Sequence, residues 1–446
     1  MADPEVWDTV VVGGALAGLA AAARLAKNRH RVLVLEAHDR LGGRLAPHPL
    51  GTGGDAVPLV DSWPGMITFP APWRDLFRKS GRPFVDELAR TDQELAPAPA
   101  TRHVFTESVG GARDLVLPSE RGVQFSVLSQ RYGVTVAERW RDLLDHLDEV
   151  AQALRPLGGE AELTSYEQVT AARSVLSPGR SVADLARALD HPHLSALLTS
   201  TAWRLGSRPG RTPGWVAVRL ANERRFGRWM VTTDGRPDRT SVLLDRLEGR
   251  LRTRRVTVRT DHTVTGVTSA GDGGLTVTAE TETGPVVEQA RTVVLSVHPG
   301  RAYRLLGRAA GAERRRAART RPAWAPVVSH IVSDGAGSEG SADPTETIEH
   351  VTRAFGPGGP AIRWTRPLPD GRVLTSEHDW TRAAPDPGAG IAWRGPRTLM
   401  RQPPIRSVVP GVHLAGPFSR GGSDLAHVVL SGALASYACH AALGDG

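Results

Sequence analysis

Cysteine and lysine are the residues that this chain of 446 residues almost lacks. Cys439 is its only cysteine, which excludes an intrachain disulfide and a metal site built from several thiolates. Lys27 and Lys79 are its only lysines, so arginine carries nearly all of the positive charge, and the formal net charge is +8. The arginines are scattered and form no basic patch interleaved with aromatic residues, which argues against a nucleic-acid-binding protein.

A basic leader and long uncharged runs are also missing. The uncharged run 9–23 is too short to span a bilayer and is interrupted by glycine. Asp3, Glu5 and Asp8 stand near the start, so we expect no signal peptide and a cytoplasmic location. The positive net charge still predicts a weak peripheral attraction to anionic membrane surfaces. With a hydrophobic content of 40% and a charged content of 23%, the chain is typical of a globular protein of about two domains.

The chain does contain a strand–turn–helix–strand unit near its start. The β-branched run 9–12 suits a buried parallel strand, and we expect an alanine-rich helix from Gly18 to about residue 28. The apolar strand 31–35 then leads directly to Glu36. This order predicts a dinucleotide-binding unit in which the helix N-terminus faces a diphosphate and Glu36 holds the adenosine ribose. An ordinary βαβ unit that binds no nucleotide is the alternative.

One position departs from the dinucleotide fingerprint. Ala15 stands where a second glycine normally lets the backbone approach the pyrophosphate. Gly14 is adjacent, but it cannot take over this role unless the turn shifts. The methyl group of Ala15 therefore predicts either a phosphate that lies further out or an adjusted loop.

A second motif follows Glu36: Ala37, Arg40 and the Gly-Gly-Arg run 42–44 stand at a characteristic spacing. In this pattern the chain resembles the flavin amine oxidases and their relatives, the phytoene desaturases, squalene-associated desaturases and protoporphyrinogen oxidases. The resemblance implies FAD as the cofactor. Glycines in the run let the backbone pass close to the cofactor, and its arginine supplies a positive fork near the diphosphate.

The resemblance also implies a fold. It is an α/β fold with a Rossmann-like, GR2-type FAD-binding domain and an inserted α+β substrate domain. The FAD-binding domain is expected to be discontinuous, comprising residues 1–65, 235–300 and 405–446. The substrate domain is expected to comprise residues 66–234 and 301–404.

Local patterns between these blocks predict several elements. Residues 135–154 place apolar side chains at helical spacing, and Ser181 is expected to cap another helix. Alternating strand patterns resume near residue 255 and end in the apolar run 292–297. The glycine- and serine-rich stretch 333–344 is expected to form a loop.

The C-terminal block resembles the family's closing motif. A strand ends at Gly416, a glycine-rich loop follows, and the last helix is expected to direct its N-terminus at the flavin pyrimidine, where its dipole stabilises negative charge. Two positions depart from that motif. Pro417 stands where the family commonly has an acid, and His427 stands where a small residue usually lets the helix approach the ring.

The resemblance therefore implies a set of cofactor-binding residues. Asp61 and Ser62 belong to the strand expected beneath the flavin, and the backbone of Val264 is expected to meet the adenine. The candidate set is Gly13, Gly14, Ala15, Ala17, Gly18, Glu36, Ala37, Arg40, Gly43, Arg44, Asp61, Ser62, Val264, Gly416, Pro417, His427 and Val428.

Two functions are consistent with these observations. The first is an FAD-dependent oxidoreductase that abstracts hydride from a hydrophobic, isoprenoid- or polyene-like small molecule or from an amine. Related amine oxidases typically hold a lysine near the flavin in a later segment, whereas no lysine follows Lys79 here, which favours desaturase-type chemistry. The second is a flavoprotein-fold binding or partner protein with weakened or lost turnover. Catalytic residues stay unassigned, with His298 and His427 as the candidates for a general base, and no metal site is expected.

Overall fold

The computed structural model describes residues 6–51, 57–109, 112–271, 273–334, 350–356 and 359–444. The loop predicted at 333–344 lies almost entirely outside these residues. The strands are β1 (Val6–Val12), β2 (Val32–Leu35), β3 (His48–Pro49), β4 (Leu59–Val60), β5 (Gln93–Pro97), β6 (Thr101–Val109), β7 (Ala112–Leu117), β8 (Trp229–Thr233), β9 (Arg236–Pro237), β10 (Thr257–Arg259), β11 (Thr263–Ser269), β12 (Leu275–Thr281), β13 (Gly284–Leu295), β14 (Pro322–Ser333), β15 (His350–Gly356), β16 (Gly359–Pro367), β17 (Val373–Ile391) and β18 (Val412–Leu414).

Helices fill most of the intervening sequence. They are α1 (Leu16–Lys27), α2 (Ala71–Ser80), α3 (Phe84–Ala89), α4 (Arg121–Tyr132), α5 (Val134–Leu154), α6 (Tyr166–Ala171), α7 (Arg173–Leu176), α8 (Val182–Leu189), α9 (Pro192–Trp203), α10 (Val218–Phe226), α11 (Val242–Thr253), α12 (Pro299–Leu305), α13 (Gly311–Ala317) and α14 (Leu425–Gly444).

The first sheet is built from segments that are far apart in the sequence. Its parallel part has the order β10–β2–β1–β13–β18, and the hairpin β11–β12 joins it through the first half of β13. Val10 and Val11 of the central strand β1 are fully buried, as expected for a parallel strand covered on both faces. The α/β, Rossmann-like class predicted from the sequence is confirmed. The exact domain boundaries stay a prediction.

The last helix, α14, packs closely against α1. A Cβ atom on Gly432 would lie 2.3 Å from the carbonyl oxygen of Ala17, so only glycine permits this crossing. By length and hydropathy α14 could cross a membrane, but 56% of its apolar stretch is buried within the molecule, as in the core helix of a folded protein. Cys439 on this helix is fully buried, and burial raises the pKa of its thiol to about 12.

The second sheet has the order β14–β17–β16–β15–β6–β7. A separate helical core, built largely by α4, α5, α8 and α9, accompanies it. The helix expected at 135–154 corresponds to α5, and Ser181 forms a capping box with Asp184 at the start of α8. In contrast, α2 and α3, which lie in the predicted substrate segment, contribute Trp73 and Phe84 to the core beneath α1 and α14.

Three element boundaries differ from the sequence-based expectation. Helix α1 begins at Leu16 rather than Gly18, because Ala15 is already the extended N-cap residue. Strand β4 stops at Val60, so Asp61 and Ser62 lie beyond it. Strand β13 begins well before the apolar run 292–297, because its polar first half pairs with β12.

Candidate active site

The turn between β1 and α1 brings three chain segments into close contact. We call residues 13–18 the glycine turn. Gly13 has a φ of +98°, and a Cβ atom there would lie 2.7 Å from the carbonyl oxygen of Ser296. A Cβ atom on Gly18 would lie 2.4 Å from the carbonyl oxygen of Gly13. These two positions therefore require glycine, and the turn is held against β13 by a hydrogen bond from Gly18 N to Ser296 Oγ at 3.0 Å.

Ala15, at the position of the missing second glycine, and its neighbour Gly14 both contact the segment 36–43. Gly14 N donates to Glu36 Oε2 at 2.6 Å, and its carbonyl accepts from Gly42 N at 2.8 Å. Ala15 has φ −77° and ψ 164°, a conformation that any residue adopts. Its methyl group faces Gly43, where an added Cβ atom would lie 3.0 Å from it. Glycine at position 43 thus makes room for the methyl group that Ala15 introduces.

Glu36 lies at the end of β2 with its carboxylate held in place. Oε1 accepts from His38 N at 3.0 Å, and only 9% of the residue is exposed. The main chain of Glu36 also accepts from His262 N at 2.8 Å, which brings the start of β11 alongside. Val264 therefore lies close to the expected ribose position, although its carbonyl oxygen already accepts from Arg301 Nη2 at 3.1 Å.

These features fit the adenosine diphosphate part of a dinucleotide. Gly13 and Gly18 allow a tight turn in which a Cβ atom would collide with neighbouring carbonyl groups, α1 begins at this turn, and a fixed carboxylate stands at the end of β2. Three further predicted contacts stay predictions. Ala37 is exposed, the exposed Arg40 donates to the carbonyl oxygen of Pro47 at 3.2 Å, and Ala17 is buried beneath α14.

Arg44 extends from the segment beside the glycine turn into the interior. Its Nη1 donates to the carbonyl oxygen of Gly388 at 3.1 Å, and its guanidinium lies 5.2 Å from the ring centre of Trp63. Burial lowers the pKa of Arg44, and Asp386 opposes this shift. Arg44 thereby connects the segment beside the glycine turn to a neighbouring cavity.

That cavity, of about 170 Å³, lies between the second sheet, the ends of α9 and α10, and the start of α14. We call it the aromatic cavity, because large rings dominate its lining: Trp63, Phe69, Trp73, Trp324, Trp364 and Trp380. Ser62 lines it as well, whereas Asp61 accepts from Ser241 N at 3.0 Å near the start of α11. Burial raises the pKa of Asp61. Asp61 therefore contacts the start of α11 and does not line the aromatic cavity.

His378 contributes an imidazole to the floor of the aromatic cavity. Its ring centre lies 4.6 Å from that of Trp364 and 5.6 Å from that of Trp380, in edge-on arrangements. The residue is 3% exposed, and Nε2 has no hydrogen-bond partner among the described residues. Burial lowers its pKa to about 3, and the positive charges of Arg44 and Arg204 act in the same direction. The imidazole is therefore neutral at pH 7.

The N-terminal turn of α14 carries a charged network at the edge of the cavity. Asp424 Oδ1 lies 2.6 Å from His427 Nδ1 and accepts from His427 N at 3.0 Å, while Oδ2 pairs with Arg219 Nη2 at 2.7 Å. Burial alone would raise the pKa of Asp424, but His427 and Arg219 lower it overall. Val428 N donates to the carbonyl oxygen of Asp424 at 2.9 Å. This network fixes the orientation of His427.

The remaining predicted residues surround this helix start. Gly416 has a φ of +144°, and its N donates to Ser431 Oγ at 2.9 Å. Pro417 lines an adjacent cavity, and its carbonyl oxygen lies 2.9 Å from where a Cβ atom on Gly390 would stand. His298 caps α12 by accepting from Gly300 N at 3.1 Å, so its position is structural.

His191 and His193 stand close together in the sequence, and each has a structural contact. His191 caps α9, and His193 stacks on Phe105 and lies 2.7 Å from the hydroxyl of Tyr132. Within the described ranges, no three His, Cys, Asp or Glu side chains converge as metal ligands.

Arg204 and His378 were not predicted from the sequence. Neither belongs to a local motif, because α9 and β17 meet at the cavity only through tertiary packing. The one available signal was composition: the chain has 11 tryptophans against 4 tyrosines, and several of these tryptophans line the cavity.

Comparison with known proteins agrees with this architecture. Residues 11–79 match a family model described as an NAD(P)-binding Rossmann-like domain. The chain is 28% identical to a hydroxyneurosporene desaturase of Cereibacter sphaeroides over 245 residues, which is 53% of this chain and 46% of the relative. A flavin-containing amine oxidase A of Equus caballus is 56% identical over 40 residues, 9% of this chain and 8% of the relative. The chain therefore spans less than half the length of these relatives.

Solved structures show the same fold over nearly the whole chain. Cyclohexylamine oxidase from Brevibacterium oxydans has a TM-score of 0.64 at 16% identity and covers 99% of both chains. The resemblance to flavin amine oxidases and desaturases is thus confirmed, and at this identity the structural likeness concerns the fold.

Proposed function

We propose that this protein is an FAD-dependent oxidoreductase that removes hydride from an apolar small molecule. One observation carries the proposal: the segment 42–44 places Gly43 against Ala15 of the glycine turn and Arg44 in the lining of the aromatic cavity. The glycine turn and the cavity are therefore joined through one short segment. The desaturase and flavin-containing amine oxidase among the relatives support FAD as the cofactor. Bound FAD would supply the hydride acceptor.

The chain's own residues would bind, orient and exclude water. Glu36 and the glycine turn would hold the adenosine diphosphate part, with Arg44 near the diphosphate. Tryptophan rings that line the cavity would exclude water from an apolar substrate. The start of α14 directs the positive end of a helix dipole towards the cavity, where it would stabilise developing negative charge. His427 Nδ1 is engaged by Asp424, which leaves Nε2 to contact a ligand.

The charges of the cavity favour desaturase-type chemistry over amine oxidation. The two acids in its lining, Glu223 and Asp424, are paired with Arg228 and Arg219. No lysine follows residue 79, and the cavity would offer an ammonium group no free carboxylate from these two acids. An uncharged, extended substrate requires shape rather than acid–base groups, and the aromatic lining supplies shape.

The test is to purify the full chain and record its absorption spectrum, then titrate the apo form with FAD. We expect a yellow protein with non-covalent FAD. Anaerobic mixing with a polyene precursor or an amine should then bleach the flavin band only for a substrate. A colourless protein that takes up no FAD would refute the proposal.

A binding or partner protein with lost turnover is the second candidate. Its support is that Ala15 and Pro417 replace residues typical of the cofactor site, and that Val264 already accepts a hydrogen bond from Arg301. Bound FAD that is not reduced by photoreduction in the absence of dithionite would favour this second candidate. The cytoplasmic location and the weak attraction to anionic membranes stay predictions from composition.

A further inference from the structure

Arg204 is the least compensated charge of the aromatic cavity. It follows the last residue of α9 and lines both this cavity and a smaller neighbouring one of about 40 Å³. Its nearest acids, Glu223 and Asp424, are engaged by Arg228 and Arg219, and the guanidinium of Arg204 forms no hydrogen bond or ion pair with a described residue. Burial lowers the pKa of Arg204, and Glu223 opposes this shift.

The other unpartnered polar groups of the cavity lining are mostly hydrogen-bond donors. The indole nitrogens of Trp63, Trp73 and Trp380 are buried and have no acceptor among the described residues. An indole N–H can only donate, and a guanidinium can only donate. His378 adds a neutral imidazole whose buried Nε2 also lacks a partner in the described part of the chain. Among its described lining residues the cavity therefore presents an excess of donors, and two guanidinium groups have no ion pair: that of Arg204, and that of Arg44, which donates to the carbonyl oxygen of Gly388.

We propose that the aromatic cavity binds an apolar molecule that ends in a carboxylate, with Arg204 as the residue that holds the carboxylate. A carboxylate has only acceptor atoms and one negative charge, so it matches the donors and the guanidinium of Arg204 together. The planar fork of arginine suits the two oxygens of a carboxylate. An ammonium group would instead add positive charge and further donors. The inference rests on the proposed function for the role of the cavity and specifies its substrate class.

A structural role would not explain Arg204 equally well. A desolvated charge without a partner destabilises the folded protein, and replacing it by an apolar side chain of similar length is often neutral or stabilising. A desolvated arginine without a partner is expected where a ligand supplies its hydrogen-bond acceptors. The variant Arg204→Met should therefore unfold at the same temperature as the parent or at a higher one.

The test compares three probes that share one aromatic body. They are 2-naphthylacetate, the uncharged 2-naphthylacetamide and 2-(2-naphthyl)ethylammonium, each titrated into the purified full chain by isothermal calorimetry. We expect the acetate to bind about 10- to 100-fold more tightly than the amide, as for a hydrogen-bonded charge pair. The ammonium probe should bind more weakly than the amide.

Variants assign this preference to Arg204. Arg204→Met should remove the preference for the acetate, Arg204→Lys should retain part of it, and Arg173→Met, on an exposed helix position, should leave it intact. An ammonium probe that binds the parent as tightly as the acetate would overturn the inference without any variant. A preference for the acetate that survives in Arg204→Met would overturn the inference as well. So would an Arg204→Met variant that loses FAD affinity but keeps this preference. The calorimetry measures binding without turnover. Absence of FAD or of activity would therefore refute the proposed function, whereas the probe affinities would still test the carboxylate preference.

Discussion

The glycine turn and the aromatic cavity lie side by side, yet they are built in different ways. The turn is made of backbone: Gly13 and Gly18 leave space for neighbouring carbonyl groups that would lie within 3 Å of a Cβ atom, and Gly14 N and Gly18 N are paired. The cavity is made of side chains from α9, β16, β17 and α14, and several of its polar atoms have no partner in the described residues. The turn is shaped by its backbone contacts, whereas the cavity offers unpartnered side-chain groups to a ligand.

This difference predicts opposite responses to substitution. Enlarging a glycine of the turn should reduce stability and cofactor affinity together, because the same close contacts serve both. Changes in the cavity should alter ligand preference with little loss of stability, because its unpartnered groups contribute little to folding.

The largest effect is expected from Glu36→Ala. The substitution removes the carboxylate that would bind the ribose and leaves Gly14 N and His38 N without their acceptor. We expect FAD affinity to fall by a factor that corresponds to about 1.5–3 kcal/mol, measured by flavin titration. Asp39→Ala, at an exposed position of the same segment, is the matched control. Equal affinities of parent and Glu36→Ala would contradict the ribose assignment.

Gly18→Ala tests the backbone contacts of the turn. A Cβ atom would lie 2.4 Å from the carbonyl oxygen of Gly13, so the helix start must shift, and overpacking of this kind costs about 1–3 kcal/mol. Gly249→Ala in α11 is the control, because nothing lies within 4 Å of its added Cβ atom. That control should gain about 0.5–1 kcal/mol from helix propensity. Denaturant midpoints that shift in the same direction for both variants would be inconsistent with this account.

His413 on β18 provides a pH test of the framework. Burial lowers its pKa to about 4, and Arg406 acts in the same direction. In the unfolded chain its pKa is about 6.5. Above pH 6.5 the ring is neutral in both states and folding carries no protonation penalty from His413. As the pH falls towards 4 the unfolded chain binds the proton first, and the free energy of unfolding falls by roughly 2 kcal/mol at pH 5.

His413→Leu should flatten this part of the stability curve. The comparison is between urea midpoints of parent and variant at pH 7 and pH 5. A variant that loses as much stability as the parent over this interval would assign the acid sensitivity to other groups.

The smallest effect is expected from Ala15→Gly. Loss of the methyl group that faces Gly43 should tighten FAD binding, while the freer unfolded chain lowers stability by about 0.4–1 kcal/mol. Affinity and melting temperature should thus move in opposite directions. Ala318→Gly, exposed at the end of α13, should show the stability loss alone. Unchanged or weaker FAD binding in Ala15→Gly would mean that the methyl group does not crowd the pyrophosphate.

Most of the dinucleotide unit could be predicted from the sequence. The order of β1, the glycine turn, α1, β2 and Glu36 is local, and each step has its own residue signature. The resemblance extended this to the closing strand β18 and to α14. Boundaries were less exact: β13 was predicted only from its buried half, because its first half is polar and depends on pairing with β12.

Tertiary structure alone decided which side chains meet in the aromatic cavity. Arg204 follows a helix with little amphipathic pattern, and His378 alternates along β17 with residues that face the other side. No local periodicity distinguishes a charge that will be paired from one that will not. The two nearby acids, on α10 and just before α14, form ion pairs with Arg228 and Arg219 instead of Arg204. The sequence by itself therefore determined the backbone that would hold a dinucleotide. The charge of the cavity beside it arose only when distant segments packed together.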